Sequence, residues 1–173
     1  AFNRLYQAGF SPNLVERPRL EKHMQKVLND VVKMRGLITP ASKETHIQKA
    51  IFEAIQTVSR NLVCMLELQI NAYWASRPGH FVMLNAHTLR ETQQMTQQTL
   101  LTIAHALYEG NPQPILANNE KLNEIVAELR QLIKEQQDDN FSETPIHGYV
   151  WLTIELARQL ELLSHLICRA LRK

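Results

Sequence analysis

The sequence predicts an all-α protein, an antiparallel up-and-down bundle of about five helices, three of them long, preceded by a helical stub. Three observations carry this. Apolar residues recur at spacings of three and four along every long segment, whereas no stretch alternates with the period of two that a half-buried strand requires. Only five glycines occur in 173 residues, few for a loop-rich β-fold. Proline and glycine are also confined to short clusters, so they cut the chain into long uninterrupted pieces.

Taken in order, Phe2, Leu5, Tyr6 and Phe10 recur at helical spacing, like the tail of a helix continuing from a longer chain. After the connector "SPNLVERP", a first full helix is expected from about Pro18, a good first-turn residue, to about Leu37. Its core stripe is Leu20, Met24, Val27, Val31, Met34 and Ile38. The connector "GLITPAS" is expected to end it. A second helix is expected from about Lys43 to Ser76, with Ile47, Ile51, Ile55, Val58, Leu62, Met65 and Gln69 as its main stripe. "SRPGH" turns the chain into a third helix, from about Phe81 to Tyr108, which stops at Gly110 and the loop "GNPQP". Its centre, "ETQQMTQQT", reads as a wide exposed face or, alternatively, as a glutamine-lined groove. A fourth helix is expected from about Asn119 to Asp138. In the last, Thr144 caps, Pro145 opens, and Ile146, Val150, Ile154, Ala157, Leu160, Ser164, Ile167 and Leu171 form the stripe. No repeat of 33 to 47 residues is evident, which places a solenoid second.

The run "NLVCMLELQINAYWA", residues 61–75, is the most apolar of the chain. Residues 62–75 reach only about 21 Å as a helix, against a hydrocarbon core of about 30 Å. Glu67 in its middle would cost roughly 2.5 to 3.5 kcal/mol at a bilayer centre, which excludes a span. The segment instead reads as the most enclosed part of a central helix. Glu67 then faces water or a polar partner, lines a cavity for a cation, proton or small ligand, or joins a buried pair.

Chemical motifs are sparse. The seven histidines never form HxxxH, HxxH or ExxH on one helix face, and no nucleophile elbow, phosphate loop or dinucleotide turn occurs. Neither catalytic residues nor a metal or other cofactor is expected, and the chain is read as a non-enzyme. Cys64 and Cys168 lie in apolar helical patterns and read as reduced core thiols, consistent with a reducing compartment. Nucleic acid is not an expected partner, because basic residues are not interleaved with aromatics. Charge is nevertheless uneven: residues 1–49 carry +5, residues 50–139 carry −4 and residues 140–173 carry +1. The basic first third suits phosphate, an anionic lipid surface or an acidic partner.

Six strings, "FSPNLVERPRLEKHMQK", "VKMRGLITPASKET", "RNLVCMLELQINAYWASRP", "ALYEGNPQP", "GYVWL" and "LICRALRK", resemble the C-terminal soluble region of a member of the fusaric acid resistance and aromatic acid exporter-like family. The resemblance extends over residues 1–173. It implies a bacterial inner-membrane protein whose membrane-spanning N-terminal half is absent here, with this part a single soluble domain on the cytoplasmic side. The implied role is that of a helical domain of an exporter of aromatic acids or related compounds, serving assembly, subunit contact or gating. Implied partners are its own membrane half and further copies in a homo-oligomer. The rival reading is a ligand-sensing bundle that binds a small aromatic carboxylate in a cleft bordered by Glu67, Trp74 and Arg77.

Overall fold

A computed structural model describes residues 2–9, 17–75, 86–137 and 144–172. All regular structure within them is helical, in six helices. They are α1 (Phe2–Gly9), α2 (Arg17–Thr45), α3 (Lys49–Ala75), α4 (Ala86–Glu109), α5 (Gln113–Gln137) and α6 (Thr144–Leu171). The expected bundle is therefore present, but five helices are long rather than three, spanning 29, 27, 24, 25 and 28 residues.

The first difference lies in α2, which runs through Gly36 and Pro40 instead of ending near Leu37. Pro40 lacks the N–H that would bond the Gly36 carbonyl, but both residues are exposed and water can serve that carbonyl. Continuing the helix keeps Ile38 buried on the stripe of Leu20, Val27 and Val31. The chain turns at residues 46–48, where hydroxyl groups replace the missing helical partners. Thr45 Oγ1 donates to the Ala41 carbonyl at 2.7 Å and accepts the Ile47 N–H at 3.4 Å, while Ser42 Oγ donates to the Ile47 carbonyl at 2.7 Å. His46 takes the left-handed position at φ 59°, where glycine is more usual.

The second difference lies between α4 and α5. Gly110, at φ 68°, closes α4, and the Asn111 N–H reaches back to the Ala106 carbonyl at 3.2 Å in a Schellman pattern. Asn111 then caps the next helix, its Oδ1 accepting the Gln113 N–H at 3.1 Å. Pro112 and Pro114 sit in a first turn, where no N–H is required of them. Hence α5 starts six residues before the expected Asn119.

Three cross-links set the relative direction of the long helices. Gln56 Nε2 donates to the Val31 carbonyl (α3 to α2), Asn118 Nδ2 to Thr99 Oγ1 (α5 to α4), and Asn123 Nδ2 to Glu161 Oε1 (α5 to α6). With the turn at 46–48, the turn at Gly110 and the Cys168 thiol beside the Pro112 carbonyl, these links make α2 and α3, α4 and α5, and α5 and α6 antiparallel. Helices α4, α5 and α6 pack on one another, α3 packs on α6, and α2 packs on the far side of α3. The stub α1 is a core element rather than a trailing end: it touches α2, α3 and α4, and Leu5 and Tyr6 are buried. One apolar cluster draws residues from all six helices, including Leu62 and Leu66 of α3 and Leu156 and Leu160 of α6. Fully burying each such leucine contributes roughly 1.5 to 3 kcal/mol.

The run 61–75 is less enclosed than its composition suggests. Leu62, Val63, Leu66, Gln69 and Ile70 are buried, but Cys64, Glu67, Leu68 and Asn71 are exposed. The wider buried arc belongs to α6, because among the described helices it lies between α3 on one side and the α4–α5 pair on the other. Among the described residues α3 packs chiefly on α6, α2 and α1, which leaves one of its faces exposed.

Candidate functional site

Of the three residues proposed to border a cleft, Glu67 lies on the solvent face of α3. Trp74 is in the last turn of α3, with its side chain outside the described residues, and Arg77 also lies outside them. The polar group that α3 does carry inward near this point is Gln69, which is fully buried. Its Nε2 donates to Thr153 Oγ1 of α6 at 2.8 Å, and that hydroxyl donates in turn to the Tyr149 carbonyl at 2.9 Å.

This link is one part of a polar seam inside the bundle. On α4, Thr92, Thr96 and Thr99 are all buried, each donating its hydroxyl to the carbonyl one turn earlier at 2.7 or 2.8 Å. That bond satisfies the hydroxyl locally and lets the methyl group pack like an aliphatic one. The Thr99 hydroxyl also accepts from Asn118, at 2.7 Å. Thr96 stands beside the Tyr6 hydroxyl, and Gln93 Nε2 donates to the Tyr149 hydroxyl at 3.2 Å. Burial pushes the Tyr6 phenol far above its ordinary range, with Tyr149 adding to the rise and Thr96 partly opposing it.

Reading "ETQQMTQQT" as a wide exposed face therefore holds for only part of it, since its threonines continue the buried stripe of Ile103 and Ala106. The spacing of 92, 96, 99, 103 and 106 was the available signal, concealed by the polarity of threonine. Gln94 and Gln98 do face outward, and they line an open groove of about 390 Å³ with Glu91 and Met95 of α4 and Ile125 and Glu128 of α5. His87 Nδ1 stands 3.4 Å from Glu91 Oε2 on the same helix. Amides and carboxylates on an apolar floor suit a weakly held cationic or amide-bearing group. Among the described residues, no group of three His, Cys, Asp or Glu side chains is placed to hold a metal ion.

The cysteines separate. Cys168 is buried, as expected, with its thiol toward the Pro112 carbonyl at 3.8 Å, and burial pushes its pKa up while Arg172 opposes the rise. Cys64 is exposed, contrary to its reading as a core thiol, because it falls on the solvent face of α3 between the buried positions Val63 and Leu66.

Fold and site together define an all-helical bundle with a polar internal seam, in which no helix among the described residues is long and apolar enough to cross a membrane. No known family's sequence profile and no solved structure matches the chain. A curated relative does: the chain is 70% identical over 172 residues to "Inner membrane protein YeeA" of Escherichia coli (strain K12). The match takes in 99% of this chain and 49% of the relative, so the chain is YeeA-like throughout and spans about half the relative's length.

Proposed function

We propose that the chain is an extramembrane domain of a bacterial inner-membrane exporter of aromatic acids or related compounds, lying on the cytoplasmic side and serving assembly, subunit contact or gating rather than catalysis. The observation that carries this is the pairing of 70% identity to a twice-longer inner membrane protein with a set of described helices that contains no span. The exporter class and the cytoplasmic side rest on the family resemblance of the strings quoted above.

The bundle suits such a role. Its surface leaves large apolar side chains free for contact, among them Leu101 and Tyr108 on α4 and Trp151 and Leu162 on α6. A green fluorescent protein fusion to the end of the full-length protein is expected to fluoresce, and an alkaline phosphatase fusion to be inactive; the reverse pattern would refute the cytoplasmic side. Light scattering is expected to find oligomers of the full-length protein in detergent, reduced by Tyr108→Glu or Trp151→Glu. A strict monomer would refute the assembly role. Deleting the gene is expected to sensitise cells to aromatic carboxylic acids, and unchanged growth across a panel of them would refute that substrate class.

A further inference from the structure

Helix α2 carries the most one-sided charge of the molecule. It holds seven basic and three acidic residues, a net +4 in a chain of net +2, so everything outside it sums to −2. At about 100° per residue, Lys22, Lys26 and Lys33 fall within about 40° of one another, with Arg19 beside them. They lie on the side away from Leu20, Val27, Val31 and Ile38, the residues that pack inward. All four cations are exposed. Among the described residues α2 packs chiefly on α3 and α1, so within them this face is an outer flank.

On other helices some exposed basic groups do pair with carboxylates at helical spacing, as in Lys49 with Glu53 at 3.4 Å and His165 with Glu161 at 3.7 Å. Among the described residues, Lys22, Lys26 and Lys33 form no ion pair within 4 Å, although Asp30 stands four residues after Lys26 and three before Lys33, and the one side-chain bond near them is neutral, from Gln25 to Asn29. Farther along the same flank Leu37 is 64% exposed, an apolar side chain in line with the cations. A row of unpaired lysines ending in an exposed leucine is the pattern of a helix lying on a negatively charged bilayer.

We infer that the outer face of α2, through Arg19, Lys22, Lys26 and Lys33, docks on the anionic headgroups of the membrane to which the full-length protein belongs. This draws on the membrane association in the proposed function but not on the export reading, so failure of either leaves the other standing. The lysines supply long-range attraction and Leu37 a shallow apolar contact. The opposite stripe meanwhile holds α2 to the bundle, so that docking can set the bundle's orientation against the bilayer.

Flotation of the 173-residue chain with vesicles tests the inference, comparing 30% phosphatidylglycerol in phosphatidylcholine with phosphatidylcholine alone at about 50 mM salt. Binding is expected to the first only and to weaken steeply with added salt. At about fivefold per lysine, Lys22→Gln/Lys26→Gln/Lys33→Gln is expected to lower the affinity about a hundredfold with an unchanged circular dichroism spectrum. The control Lys121→Gln/Arg130→Gln/Lys134→Gln removes the same charge from α5 and is expected to bind nearly as the parent does. Equal binding to both vesicle types, no binding to either, or equal losses in the two variants would overturn the inference. So would displacement from the vesicles by a stoichiometric RNA oligomer, which would assign the face to nucleic acid.

Discussion

Asn118 and Asn119 are neighbours on α5, both buried, yet their hydrogen bonding is opposite. The Asn118 amide donates to Thr99 at 2.7 Å, whereas neither Oδ1 nor Nδ2 of Asn119 has a partner among the described residues. A buried polar group without a partner costs about 1 to 3 kcal/mol, and leucine has as many side-chain heavy atoms as asparagine and is better in a helix by roughly half a kcal/mol, which offsets part of the cost of fitting its bulkier methyl groups. Asn119→Leu is therefore expected to stabilise the bundle by about 1 to 3 kcal/mol. At about 2 to 4 °C per kcal/mol for a domain of this size, Tm should rise by at least about 2 °C. Thr99→Val keeps the shape but leaves Asn118 without its acceptor, so it should destabilise by about 1 to 3 kcal/mol. Urea unfolding followed by circular dichroism measures both variants on one scale. The reasoning would be refuted by a fall in stability of Asn119→Leu comparable to that of Thr99→Val, because the Asn119 amide would then have a partner worth keeping.

Three further outcomes are expected. Gly36 is exposed inside α2 with nothing within 4 Å of an added Cβ, so Gly36→Ala should stabilise by about 0.5 to 1 kcal/mol, read as a shift in the urea midpoint. Thiol labelling with iodoacetamide should modify Cys64 readily in the native protein and Cys168 only on unfolding, as mass spectrometry after a short pulse would reveal; fast labelling of Cys168 would contradict its burial. Because the folded-state pKa of Tyr6 is raised above its ordinary 10.0, the neutral phenol contributes stability in full below that pH, and the contribution falls as pH rises above it. Tyr6→Phe should flatten this alkaline loss, measured as urea stability between pH 8 and 11, and an unchanged slope would count against the buried phenol.

Helix type and order were legible in the sequence because apolar stripes have a period that owes nothing to distant contacts. Leu20 to Ile38, Ile51 to Gln69 and Ile154 to Ile167 lie on buried or half-buried faces, except that Met34, expected in the first stripe, is exposed at its edge. Boundaries were less legible where local signals competed. Gly36 and Pro40 read as a stop, but burial of Ile38 and the hydroxyl groups of Ser42 and Thr45 carry α2 to a turn ten residues beyond Gly36. At the turn after α4 the reverse occurred, since Asn111 and Pro112 start a helix within what read as a loop.

The candidate site was the least legible part. Whether a threonine or glutamine in a stripe is buried depends on what faces it. Thr99 is buried because it accepts from Asn118 of the neighbouring helix, and Gln69 because Thr153 stands opposite. Those partners lie 19 and 84 residues away, beyond any local pattern. The same holds for Cys64, whose apolar neighbours in sequence occupy other faces of the helix in space.

What the sequence determined by itself was the all-helical class, the order of the long helices and the basic character of the first third, all properties of local periodicity and composition. Only the tertiary structure decided that α1 enters the core, that α6 rather than α3 is the enclosed helix, and that the lysines of α2 gather on an outer flank. Each of these depends on which helix packs beside which, and that is settled by apolar surfaces meeting across long separations in the chain.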